Sequence, residues 1–115
     1  MKLKNILAVI IAIIFIFVVA LLVAQRPKII LFYSNTCVHC QNVKDIIVAN
    51  QVDKKVKFRE LEVSENPSNA NLMAAKAKSC GLDTSVGLGV PFLFDGKNCL
   101  SGDTDIINFF QEKIK

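Results

Sequence analysis

The chain has 115 residues, 52% of them hydrophobic, with 14 Lys and Arg against 10 Asp and Glu and a formal net charge of +4. That length leaves room for one small domain. The charge, only +2 once Lys2 and Lys4 are set aside, is too mild for a nucleic-acid-binding surface, and Lys54-Lys55 reads as a solvated turn.

Every residue from Ile6 to Ala24 is apolar. A helix of about 20 apolar residues crosses the hydrocarbon core of a bilayer. Residues 1–26 therefore read as an N-terminal transmembrane anchor or a signal segment. The run exceeds the roughly 7–15 residues of a signal peptide's apolar region, which favours an uncleaved anchor, although Ala20 and Ala24 leave cleavage open. Lys2 and Lys4 favour an N-in orientation, nearly balanced by Arg26 and Lys28 beyond the run. Residues 27–115 are then a domain held close to the membrane on its extracytoplasmic face. Cysteines in such a compartment are expected to be paired or redox-active.

Lys28–Tyr33 is a short, nearly continuous apolar run, as expected of a strand buried on both faces. After the polar turn Ser34-Asn35-Thr36 the period becomes helical. Val43, Ile46 and Ile47 form one face of a helix from Cys37 to about Asn50. Val56–Val63 alternates imperfectly and predicts a second strand carrying a bulge. Pro67 opens a helix to about Cys80, with Gly81 just past its end. Phe92–Phe94, the turn at Asp95-Gly96 and Cys99-Leu100 predict a hairpin. Asp103 is placed as the N-cap of a last helix through Ile106, Ile107, Phe110 and Ile114. The order β-α-β-α-β-β-α is that of an α/β domain, with helices on a mixed four-stranded sheet.

Cys37 and Cys40 carry the chemistry. The spacing lets two thiols close a small disulfide. At a helix start, unpaired backbone N–H groups and the helix dipole favour the thiolate of Cys37, the species that attacks a disulfide. Cys40, one turn further in, is the resolving thiol. Zinc would need two more ligands from His39, Cys80 or Cys99, and no second Cys-x-x-Cys supplies them. Two thiolates holding a soft ion such as Cu(I) remain an alternative.

The segment Phe32-Tyr33-Ser34-Asn35-Thr36-Cys37-Val38-His39-Cys40 resembles the active-site loop of the thioredoxin superfamily, in its compact glutaredoxin-like branch. Val90-Pro91 before a strand resembles that superfamily's cis-proline loop. Ser101-Gly102-Asp103-Thr104-Asp105 is similar to the stretch that opens the last glutaredoxin helix. The resemblance spans nearly all of residues 28–114 and implies a thioredoxin-like fold. Pro91 would be cis, and the backbone of Val90 would bind a substrate thiol segment. Tyr33 and Phe92 would line that groove or sit in the core. Two departures stand out. Leu31 occupies the place of a buried thioredoxin aspartate, and the loop before Cys37 lacks the lysine that glutaredoxins use to hold glutathione. His39 directly before the second cysteine resembles disulfide isomerases and periplasmic thiol oxidases. An imidazole there would stabilise the reduced pair and make the disulfide more oxidising.

In this fold Cys80 and Cys99 would both lie at the end of the sheet far from Cys37. They could form a structural disulfide worth about 3 kcal/mol, stay as two thiols, or act as a second relay. The expected function is an extracytoplasmic thiol–disulfide oxidoreductase exchanging disulfides with protein thiols. Its alternatives are a copper-binding or thiol-chaperone module, or a glutathione-dependent reductase. No cofactor beyond the Cys37–Cys40 pair and no resident metal is expected. The domain is expected to be a monomer that meets protein thiols and a membrane redox partner.

Overall fold

The computed structural model describes residues 2–115; Met1, which opens the expected 1–26 anchor, lies outside them. Helix α1 covers Lys2–Ala24 and buries no residue. It is long and apolar enough to cross a membrane, a test that a signal sequence near the N-terminus also passes. Gln25–Ile29 leads directly into the sheet.

β1 (Ile30–Tyr33) is followed by α2 (Val38–Ala49), a short α3 (Val52–Lys55) and β2 (Arg59–Glu62). β2 lies parallel to β1, with Ile30 level with Arg59 and Tyr33 level with Glu62. Then come α4 (Pro67–Ser79), β3 (Phe92–Phe94), β4 (Cys99–Ser101) and α5 (Asp103–Lys113). β3 runs antiparallel to the other side of β1, and β4 antiparallel to β3. The sheet order is β2-β1-β3-β4. This is the expected thioredoxin-like arrangement, with α3 added.

Successive strand residues point to opposite faces, and the core divides accordingly. Leu31 and Leu93 face one side, where Val43 and Ile47 of α2 and Ile106 and Phe110 of α5 meet them at helical i, i+4 spacing. Ile30, Phe32, Phe92 and Phe94 face the other side and pack on Met73 and Ala77 of α4. Burying each large side chain contributes about 1.5–3 kcal/mol. Leu31 is 1% exposed, so this position is wholly given to packing.

Two local expectations are corrected. The strand expected over Val56–Val63 is only Arg59–Glu62, and its pairing runs without a bulge. The chain instead turns at Gln51, which has a positive φ of 51°. One helical turn then places Val52 fully in the core. Asp103 is not an N-cap. Gly102 holds that position at φ 89°, a conformation glycine adopts freely. The Asp103 carboxylate is thereby left for another partner.

Candidate active site

The loop that carries Cys37 leaves β1 at its C-terminal end, where backbone bonds hold it. The Cys37 N–H donates to the Ser34 carbonyl at 3.3 Å. The Ser34 hydroxyl donates to that of Ser64 at 3.1 Å, which ties the loop to the turn after β2. Cys37 is the N-cap of α2, with φ −100° and ψ 116°. Its sulfur accepts the N–H of Cys40 at 3.1 Å, the service that a Ser or Asp side chain usually performs at a helix start. The same thiol donates to the Val90 carbonyl at 3.5 Å. The Val90–Pro91 bond is cis, and the Pro91 carbonyl accepts the N–H of Gly102 at 3.1 Å. The loop before β3 and the start of α5 thus meet beside Cys37.

Cys40 is buried while Cys37 is partly exposed. Burial, reinforced by its hydrogen bond with Cys37, pushes the Cys40 thiol up to about 11 from an ordinary 9.0. The Ser34 backbone and the charge of Lys44 pull the other way. Lys44 stands one helical turn beyond Cys40, its ammonium 3.6 Å from the centroid of the Tyr33 ring. The geometry therefore separates the thiols into one that meets solvent and one kept protonated beneath it.

That separation has a stability consequence. The folded dithiol binds the Cys40 proton more tightly than the unfolded chain does. The gain is complete below pH 9 and is lost as pH rises through about 11. The thermal midpoint of the reduced chain in detergent is expected to fall over that window by more than that of Cys40→Ala. An identical decline in the two proteins would contradict the assignment.

His39 is 70% exposed in its side chain, and its ring turns towards α5. Its Nδ1 lies 2.9 Å from Oδ2 of Asp103. An ionised carboxylate only accepts, so Nδ1 carries the proton and donates. Asn42 donates to the same oxygen at 2.8 Å. The bonds from Asn42 and then His39 lower the Asp103 carboxyl to about 2. Asn42 and Lys44 are not singled out in the sequence, and Asp103 stands there only as an expected N-cap. For Lys44 the i+4 spacing from Cys40 was the available signal, whereas the Asp103 contact requires the packing of α5 against α2.

The other expected residues fall as follows. The Val90 carbonyl lies at Cys37, and the Val90–Pro91 bond has the cis form that the resemblance implied. Phe92 is not a groove residue: at 1% exposure it belongs to the core, 6.0 Å from Phe32 between ring centroids. Tyr33 is partly exposed at the end of β1 and covered by Lys44. Cys80 and Cys99 are disulfide-bonded, their Cα atoms 6.1 Å apart, and join the end of α4 to β4.

No protein-family model matches the chain, and no curated protein matches it. Solved structures similar to it include the holo form of glutaredoxin C1 from Populus tremula x tremuloides. That likeness has 19% identity and a TM-score of 0.49, over 76% of this chain and 77% of that one. The reduced form of the same poplar protein shows 22% identity and a TM-score of 0.49, over 76% and 67%. A wheat glutaredoxin shows 20% identity and a TM-score of 0.47, over 80% and 84%. The strand order, the crossover through α2 and the cis-proline loop facing the Cys-x-x-Cys turn give this chain a thioredoxin-like fold.

Proposed function

We propose that the chain is a membrane-tethered thiol–disulfide oxidoreductase acting on protein thiols outside the cytoplasm. The observation that carries this reading is the unequal pair: Cys37 partly exposed at a helix start against the Val90 carbonyl, Cys40 buried one turn below. In the oxidising direction a substrate thiolate attacks the Cys37 sulfur of the Cys37–Cys40 disulfide. A substrate–Cys37 bond forms, the Cys37–Cys40 bond breaks, and Cys40 leaves with the electron pair and takes a proton. A second substrate thiolate then attacks the substrate sulfur and expels the Cys37 thiolate. The substrate dithiol becomes a disulfide, and its two electrons reside in the Cys37–Cys40 dithiol. Reduction is the same sequence reversed.

Cys40 leaves as the thiolate, a departure that burial opposes and Lys44 assists, and burial then holds it as the protonated thiol. Attack by Cys40 requires its thiolate, which burial opposes and Lys44 assists. His39 adds to the oxidising bias when its ring is cationic, and Asp103 offsets that charge. Asp103→Asn removes a carboxylate from beside the pair and is expected to raise its reduction potential by roughly 10–30 mV. Equilibration against glutathione or dithiothreitol reads the change, and a lower potential in the variant would contradict it.

The functional test is turnover of a reduced, unfolded protein and of a glutathione mixed disulfide, each with a matching redox buffer. Disulfide formation or reduction in the protein substrate, dependent on Cys37, is expected. Turnover of glutathione mixed disulfides alone would replace this reading with a glutathione-dependent one. Stoichiometric Cu(I) binding without turnover would replace it with a copper-binding module.

A further inference from the structure

The charges of the domain are sorted by the direction of the sheet. β1 points its C-terminal end at Cys37, so its N-terminal end, where α1 enters, is the opposite pole. β2 is parallel to β1 and begins there at Arg59. The Asp95–Asn98 turn reaches the same pole, since Phe94 pairs with Ile30 and a side chain at Gly96 would meet Lys28. α2 and α5 both start at the cysteine end, joined through His39 and Asp103, and therefore both finish at the α1 pole. α4 starts beside the ends of β1 and β2, with Asn69 donating to the Glu62 carbonyl. It finishes at the α1 pole, with Lys76 4.8 Å from the Phe94 ring centroid and Cys80 bonded to Cys99.

Arg26 and Lys28 precede β1 at this pole. Lys54, Lys55 and Lys57 follow in the segment that turns into β2. Lys76 and Lys78 close α4, Lys97 tips the hairpin, and Lys113 and Lys115 end the chain. Apart from Lys44, every Lys and Arg after α1 lies at this pole. The acids there are fewer, and Glu112 is paired with Lys115. Around Cys37 the sign reverses: Glu62 and Glu65 lie at the turn tied to Ser34, and Asp103 bonds His39.

We infer that the basic pole docks on anionic lipid headgroups of the bilayer that holds α1, so that the Cys37 end faces away from the membrane. The inference rests on the membrane-tether reading. Only Gln25–Ile29 separates α1 from β1, so this pole is the part of the domain that must lie nearest the lipid surface. Charge complementarity then selects anionic rather than zwitterionic headgroups. β1 itself carries the site roughly 13 Å further out, at about 3.3 Å per residue. The docked domain presents an outward-facing thiol with carboxylates around it to its substrates and keeps Cys37 out of the headgroup layer.

The test places the full chain in lipid discs of phosphatidylcholine alone, or with about a third phosphatidylglycerol. Amine acylation is followed residue by residue by mass spectrometry. Lys78, Lys97 and Lys113 are expected to react about fivefold more slowly or less in the anionic discs, with Lys44 unchanged and the protection lost at high salt. The charge reversals Lys54→Glu, Lys55→Glu and Lys97→Glu together should remove the protection of Lys113, while the solvent-facing sites leave the fold intact by circular dichroism. Equal labelling in both discs overturns the docking. Protection by soluble polyphosphate but not by anionic discs also overturns it and assigns the face to a soluble polyanion. An alkaline carbonate wash reports separately on the tether, because a chain that washes off vesicles removes the anchor itself.

Discussion

Cys37→Ser is expected to abolish disulfide exchange, with a loss of roughly three orders of magnitude or more, because no other group in the site can form the covalent intermediate. Cys37 is the partly exposed thiol, seated at the helix start and against the Val90 carbonyl. Cys40 is buried, at 2% exposure, which shields it from a substrate sulfur. The paired variant Cys40→Ala should behave differently. It keeps the attacking thiol but cannot resolve, so substrate remains attached through Cys37. Mass spectrometry after acid quenching should show the mixed disulfide in Cys40→Ala and none in Cys37→Ser. Adducts on Cys40 in the Cys37→Ser protein would reverse the assignment of roles.

The second large effect concerns stability. Replacing Cys80 and Cys99 together by serine should cost about 3 kcal/mol, from the chain entropy that a cross-link of sequence separation 19 removes from the unfolded state. For a domain of this size that lowers the thermal midpoint by roughly 12–24 °C. Both residues are partly exposed, so serine hydroxyls there meet solvent rather than a closed core. The double replacement also avoids an odd thiol that would exchange with Cys37. Exchange activity per folded molecule should remain, since the bond sits at the far end of the sheet. A midpoint within a few degrees of the parent would show that the pair adds little. Lost activity at full stability would point instead to a relay.

Much of this arrangement is legible in the sequence, and the reasons are local. The KIILFY run, the switch to helical period at Cys37 and the Asp95-Gly96 turn each name an element without tertiary help. Pro67 and Gly81 likewise bracket α4 at the expected positions. The sequence was less informative where packing decides. α3 exists because Val52 needs a place in the core, and four residues carry no readable period. The strand expected from Val56 begins only at Arg59 because Val56 and Phe58 pack beneath the sheet rather than pair within it. The site shows the same division. The Cys-x-x-Cys pair is visible in its spacing, but the partner of His39 lies 64 positions away and meets it only through helix packing. The histidine expected to tune the pair proves to bond the Asp103 carboxylate.

The most direct measurement is the reduction potential of the Cys37–Cys40 pair in the full chain, titrated against glutathione or dithiothreitol with thiols counted by alkylation and mass. A single reversible two-electron transition confined to these two cysteines is expected. Its potential should be more oxidising than the roughly −270 mV of thioredoxin, with Cys80–Cys99 intact throughout. A potential below that value would overturn the oxidising bias assigned to His39. Cys37 and Cys40 that never form a reversible disulfide would contradict the redox assignment itself.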